Sequence, residues 1–160
     1  MRIKPVILCG GSGVRLWTKS KKKPAKQFLD FGGWTLFQKT IERIKNPIFD
    51  YPIISTNLSY LNLVRKYLKK YKIKKYKIIL EPFKRNTAAA IISSALIDEI
   101  PFDQPMIFFP ADHLIEKTKN LYKSIDLNQK NLNSDNIFIF GIKPNIPSSQ
   151  YGYFLTKKIS

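Results

Sequence analysis

Short apolar runs rich in isoleucine, valine and phenylalanine recur along this chain, and the segments between them repeat apolar residues at helical spacing. That alternation narrows the fold more than any other feature, because strand, helix and strand in succession close as a parallel βαβ unit. Five strands are predicted, over Ile3–Cys9, Tyr51–Thr56, Tyr76–Glu81, Pro105–Pro110 and Asn136–Gly141. Each is apolar on both faces, as a sheet sandwiched between helices requires. Leu36, Phe37, Ile41 and Ile44 form a stripe on a helix over Trp34–Lys45. Leu58, Leu61, Val64 and Leu68 do the same after Asn57, with Thr56 or Asn57 as the cap. Thr87 opens a helix of small residues, and Lys117–Leu132 is a weaker amphipathic one. Lys19–Lys23 and Asn145–Gln150 read as loops, and Lys69–Lys77 as a solvated connection.

The 160 residues suit one domain with a sizeable core. The closing "YGYFLTKKIS" reads as a strand with no turn or polar tail after it, so the chain is expected to be truncated, stopping short of a natural domain end. One flank of the sheet is then expected to lack a neighbour.

Composition excludes several classes. A hydrophobic fraction of 44% argues against disorder, and no apolar run approaches the ~20 residues of a membrane span. Val6–Cys9 is too short for a signal-peptide core, which makes a cytoplasmic address the expectation. Cys9 is the only cysteine, leaving neither an internal disulfide nor a zinc cluster, and it reads as a small buried hydrophobe. The net charge of +17 is nearly all lysine, with arginine at Arg2, Arg15, Arg43, Arg65 and Arg85 alone. Nucleic-acid readers favour the arginine fork, so the excess is read as lysines on solvated faces, still attractive to a phosphorylated substrate.

The residues that carry chemistry follow the strands. Gly10, Gly11 and Gly13 let the backbone after the first strand approach a phosphate, although a glycine cluster there is equally a tight turn. Neither the dinucleotide fingerprint nor the P-loop is matched. Arg15 adds a fork and Lys26 a second cation suited to a polyphosphate. Asp112 falls at the carboxyl end of the fourth predicted strand, where a single carboxylate beside phosphates suffices for Mg²⁺; a turn cap is the plainer alternative. His113 is the only histidine, which rules out a multi-histidine metal site. Arg85, Asn86 and Thr87 stand where the third predicted strand gives way to a helix N-terminus, as anion or base contacts or simply as caps.

Taken in order and spacing, "GGSGVRLWTKSK", "PAKQF", "EPFKRNTAAA", "PADHLI" and "FGIKPNIPSSQYGY" resemble the sugar-nucleotide pyrophosphorylases, and within them the bacterial mannose-1-phosphate guanylyltransferases. The resemblance spans the whole chain. It implies a Rossmann-like, GT-A-like α/β three-layer sandwich with a mostly parallel sheet. It also implies transfer of GMP from GTP to mannose 1-phosphate, with Mg²⁺ as cofactor. Carried over residue by residue, it assigns Arg15, Lys26 and Asp112 to catalysis, with Asp112 also the metal ligand. Leu8, Gly10, Gly11, Gly13, Arg15, Arg85, Asn86 and Thr87 fall to the nucleotide, and Tyr151 and Gly152 to the sugar. Thr18, Lys21, Ala25 and Ala89 depart from the family pattern, and the lost prolines imply a softer site rather than a different reaction. The family's second metal-binding aspartate lies in a part of its catalytic domain beyond this chain.

The rival readings are a sugar-1-phosphate nucleotidyltransferase of other specificity, a catalytically silent fragment and a basic nucleic-acid-binding module. No nucleic-acid or membrane partner is expected, and a homo-oligomer is left open.

Overall fold

The computed structural model describes residues 2–11, 25–82, 87–132, 136–149 and 152–154. Four strands, β1 (Lys4–Leu8), β2 (Ile53–Asn57), β3 (Lys77–Glu81) and β4 (Met106–Pro110), form one sheet in the order β3-β2-β1-β4. Every pairing is parallel, with Ile7 opposite both Ile54 and Phe109. Between and after the strands run α1 (Leu36–Arg43), α2 (Leu61–Lys70), α3 (Thr87–Ala95) and α4 (Thr118–Gln129).

Alternation along the strands sorts the core onto two faces. Ile7, Ile54 and Phe109 join Phe37, Ile41, Val64, Leu68 and Ile125 in one cluster, so α1, α2 and α4 cover that face. Val6 and Ile53 are equally buried but stand outside that cluster, and α3 packs on β1, β2 and β3 through buried Ala90 and Ser94. Helices on both faces of a parallel sheet make this the expected α/β layering.

α1 begins where Thr35 accepts a hydrogen bond from the Gln38 amide at 3.1 Å, an ordinary N-cap. The turn before it needs glycine, since Gly32 and Gly33 have φ of +77° and +92°. α2 departs from expectation. A 3-10 turn at Leu58–Tyr60 precedes it, and neither Thr56 nor Asn57 caps it.

The predicted fifth strand is overturned. Asn136–Gly141 is irregular, with Ile137 and Ile139 exposed at 91% and 67%. A strand is held by the free N–H and C=O groups of a neighbour, and among the described residues none lies beside this run. β4 accordingly pairs with β1 alone among the described residues. Gly152–Phe154 are likewise irregular. No helix among the described residues is long and apolar enough to cross a membrane.

Candidate active site

The strand order contains a reversal. The chain moves outward from β1 to β2 to β3 and then returns to the other side of β1 with β4. At such a switch point the loops leaving two adjacent strands diverge and open a crevice outside their carboxyl ends. The loops in question are those after Leu8 and after Pro110, which stand opposite each other in register. The ladder runs one residue further, the Ala111 amide donating to the Leu8 carbonyl at 3.0 Å. Gly10 and Asp112 therefore leave neighbouring strands at the same edge of the sheet.

Lys26 reaches this edge from a 3-10 turn, Lys26–Phe28, anchored by Phe28 in the apolar cluster. Its Nζ lies 3.7 Å from Asp112 Oδ2, and both side chains are partly open to solvent. His113 is more exposed, its Nε2 3.9 Å from Asp112 Oδ1. The expected cation and carboxylate are thus brought together. Thr87 is the exposed first residue of α3, the helix that follows β3 in the chain. Gly152 lies in the open, with nothing within 4 Å of the position of an added Cβ. Gly13, Arg15, Arg85, Asn86 and Tyr151 lie outside the described residues.

The glycine turn is built by residues that sequence reasoning missed. Buried Gln27 donates through Nε2 to the carbonyls of Gly11 at 3.1 Å and Cys9 at 3.4 Å. Asn57 Nδ2 donates to the Gly10 carbonyl at 3.1 Å, and the Thr56 hydroxyl to that of Cys9 at 3.4 Å. Three consecutive carbonyls are thereby engaged from behind, which fixes the peptide planes from which N–H groups can face a ligand. A polar residue between Lys26 and the core residue Phe28 was the available signal for Gln27. Asn57 offered no such signal, because its sequence context reads as a helix cap. Cys9 is buried as expected, and that burial pushes its thiol up to about 12, against the hydrogen bond from Gln27. It is not a nucleophile.

Glu81, at the end of β3, explains why position 10 is glycine. A Cβ on Gly10 would stand 2.6 Å from Glu81 Oε2, in a carboxylate whose Oε1 accepts from the buried Ser55 hydroxyl at 2.6 Å. Gly10→Ala is expected to expel that carboxylate and cost about 1–3 kcal/mol by leaving Ser55 unpaired. Thermal melts of Gly10→Ala, Glu81→Ala and the double variant check this: the double should lose less than the two single losses added together.

Among the described residues this arrangement offers backbone donors, a cation and an open carboxylate at the carboxyl edge of a parallel sheet, which suits positioning of a phosphorylated ligand. The comparisons with known proteins agree. Residues 4–158 match the family model described as nucleotidyl transferase. The chain is 40% identical over 152 residues to the alginate biosynthesis protein AlgA of Pseudomonas putida (strain KT2440), covering 93% of this chain and 31% of that protein. It is 36% identical to a mannose-1-phosphate guanylyltransferase of Escherichia coli, covering 97% of this chain and 34% of that one. The chain thus spans about a third of the length of these curated relatives. Among solved structures, mannose-6-phosphate isomerase from Helicobacter pylori superposes with a TM-score of 0.60 at 31% identity, covering 81% of this chain and 47% of that one. A nucleotidyl transferase from Methanothermobacter thermautotroptrophicus gives a TM-score of 0.57 at 16% identity over 76% of this chain and 56% of its own, a likeness of fold alone. With its sheet order, its glycine turn and this match over nearly its whole length, the chain belongs to the nucleotidyl transferase family.

Proposed function

We propose that the chain carries the nucleotide-binding part of a mannose-1-phosphate guanylyltransferase, which transfers GMP from GTP to mannose 1-phosphate. The observation that carries the reading is the meeting of Lys26 and Asp112 at 3.7 Å beside the turn after β1. A phosphate oxygen of the sugar phosphate attacks the α-phosphorus of GTP in line. The bond from that phosphorus to the bridging oxygen breaks, and pyrophosphate leaves. Such chemistry needs no protein nucleophile, only alignment and charge stabilisation. The N–H groups of the Gly10–Gly13 turn cradle the triphosphate, and Lys26 and Arg15 pair with its oxygens. Leu8 ends the strand that presents the turn. Arg85, Asn86 and Thr87 serve the nucleotide, with Asn86 and Thr87 reading guanine, while Tyr151 and Gly152 serve the sugar.

Asp112 suits Mg²⁺ as its one protein ligand here. Its side chain is 41% exposed, with the Lys26 ammonium and the His113 ring beside it. No group of three or more His, Cys, Asp or Glu gathers among the described residues. That donor set fits a hard cation completing its shell with phosphate oxygens and water, rather than a closed metal centre. Bound Mg²⁺ neutralises charge on the triphosphate.

The test is ligand protection together with product. Mg²⁺ with GTP should raise the melting temperature of the chain more than Mg²⁺ with ATP, and a longer relative carrying the same residues should form GDP-mannose from GTP and mannose 1-phosphate. Equal protection by both nucleotides rejects the guanine reading. Stabilisation by duplex DNA that fades steeply with salt would favour the basic nucleic-acid-binding alternative instead. Lys26→Ala should slow pyrophosphate exchange by about a hundredfold, the cost of losing one charged group aimed at the transferring phosphoryl. Unchanged exchange removes Lys26 from the site.

A further inference from the structure

Arg43, the last residue of α1, is buried to 2% exposure, and no carboxylate pairs with it among the described residues. Its Nη2 donates to the His113 carbonyl at 3.1 Å, while Nε and Nη1 are buried without a hydrogen-bond partner. The guanidinium carbon stands 5.4 Å from the centroid of the Phe109 ring, and the Tyr122 hydroxyl of α4 donates to the Arg43 carbonyl at 2.8 Å. Burying an arginine with no counter-ion is costly, and a methionine could fill the same space without that penalty. What methionine lacks is a donor for the carbonyl of His113.

That carbonyl matters because of its place in the chain. β4 ends at Pro110, and the Ala111 amide makes the final bond back to Leu8. Asp112 comes next, in a turn that belongs to no strand or helix. The sheet holds the backbone just before Asp112, and Arg43 grips it just after. We infer that Arg43 is a positioning residue, which acts through the His113 carbonyl to aim the Asp112 carboxylate at the metal and at Lys26. This inference rests on the metal role proposed for Asp112.

The single histidine of the chain supplies a reporter, because His113 gives the only imidazole ring resonance. Mn²⁺ titrated into the whole chain at saturating GTP should broaden that resonance as it occupies Asp112. Arg43→Met should need about tenfold more Mn²⁺ for half-broadening, the usual penalty for removing a group that orients a metal ligand. Its metal-free GTP affinity should stay within about twofold, because the glycine turn is held by Gln27 and Asn57 instead. A role in stability alone would leave the Mn²⁺ midpoint of the folded protein unchanged. Arg43→Lys, which keeps a charged donor, should recover most of the affinity. Should Arg43→Met not fold, Arg43→Leu, which equally lacks a donor, replaces it, with the same tenfold weakening expected. A wild-type midpoint in the folded Met or Leu variant, with broadening lost in Asp112→Asn, overturns the positioning role alone. Wild-type broadening in Asp112→Asn overturns the metal reading and this inference with it.

Discussion

Asp112→Asn is expected to lower turnover of GTP and mannose 1-phosphate by about a hundredfold or more while leaving GTP affinity within about threefold. The asymmetry follows from where the carboxylate stands. Asp112 lies at the edge of β4, paired to Lys26 across the mouth of the site, while the carbonyls of the glycine turn are held by Gln27, Asn57 and Thr56. Nucleotide binding should therefore survive the change, while the group lost is the one proposed to organise charge during transfer. The melting temperature should scarcely move, because an ion pair with both members this exposed contributes at most about 1 kcal/mol. Steady-state kinetics in a longer relative carrying the same residues, paired with a melt, provides the check. Turnover within a few-fold of wild type would remove Asp112 from the chemistry.

The largest stability effect is expected at the opposite end of the sheet. Lys4 on β1 is buried, with a side-chain exposure of 2%, and its Nζ meets Asp50 Oδ2 at 2.5 Å. Asp50 also accepts from the Tyr51 amide at 2.8 Å and from Gln104 at 3.3 Å. Asp50→Asn strands the Lys4 ammonium inside the fold. The cost should be about 3 kcal/mol, the low end for a broken buried pair because Asp50 keeps some contact with water. For a chain of this size that is a fall in melting temperature of roughly 6–12 °C. Lys4→Met, which removes the buried charge itself, should cost far less. Partial burial alone would raise the Asp50 carboxyl, but the Lys4, Tyr51 and Gln104 hydrogen bonds outweigh it and hold the group below its ordinary value. Its contribution is therefore complete above about pH 4, the range of an unfolded aspartate, and is lost as pH falls through the lower folded value. Urea melts across that range should show an acid limb attributable to Asp50 that is missing from Asp50→Asn.

Much of this molecule was legible in its letters. The strands at β1, β2, β3 and β4 and the four helices among the described residues stand within a few residues of their predicted places, because short continuous apolar runs and a period of 3.6 are written in local apolar spacing. Asp112 could be assigned to a strand's carboxyl end for the same reason. "NIFIFG" shows the limit of that logic. It is as apolar as "MIFFP", yet only the latter is a strand, since pairing depends on a neighbour that local spacing cannot announce.

The sequence by itself determined the four strands and four helices described here in a parallel α/β domain and named the residues proposed to hold phosphate and metal, because those features reside in side-chain chemistry and short-range apolar spacing. The tertiary structure alone decided the strand order that sets the turn after β1 beside the turn after β4. It also decided the roles of Gln27, Asn57, Glu81 and Arg43, whose partners lie 16 to 70 residues away along the chain. A hydrogen bond across such a separation depends on how the layers pack.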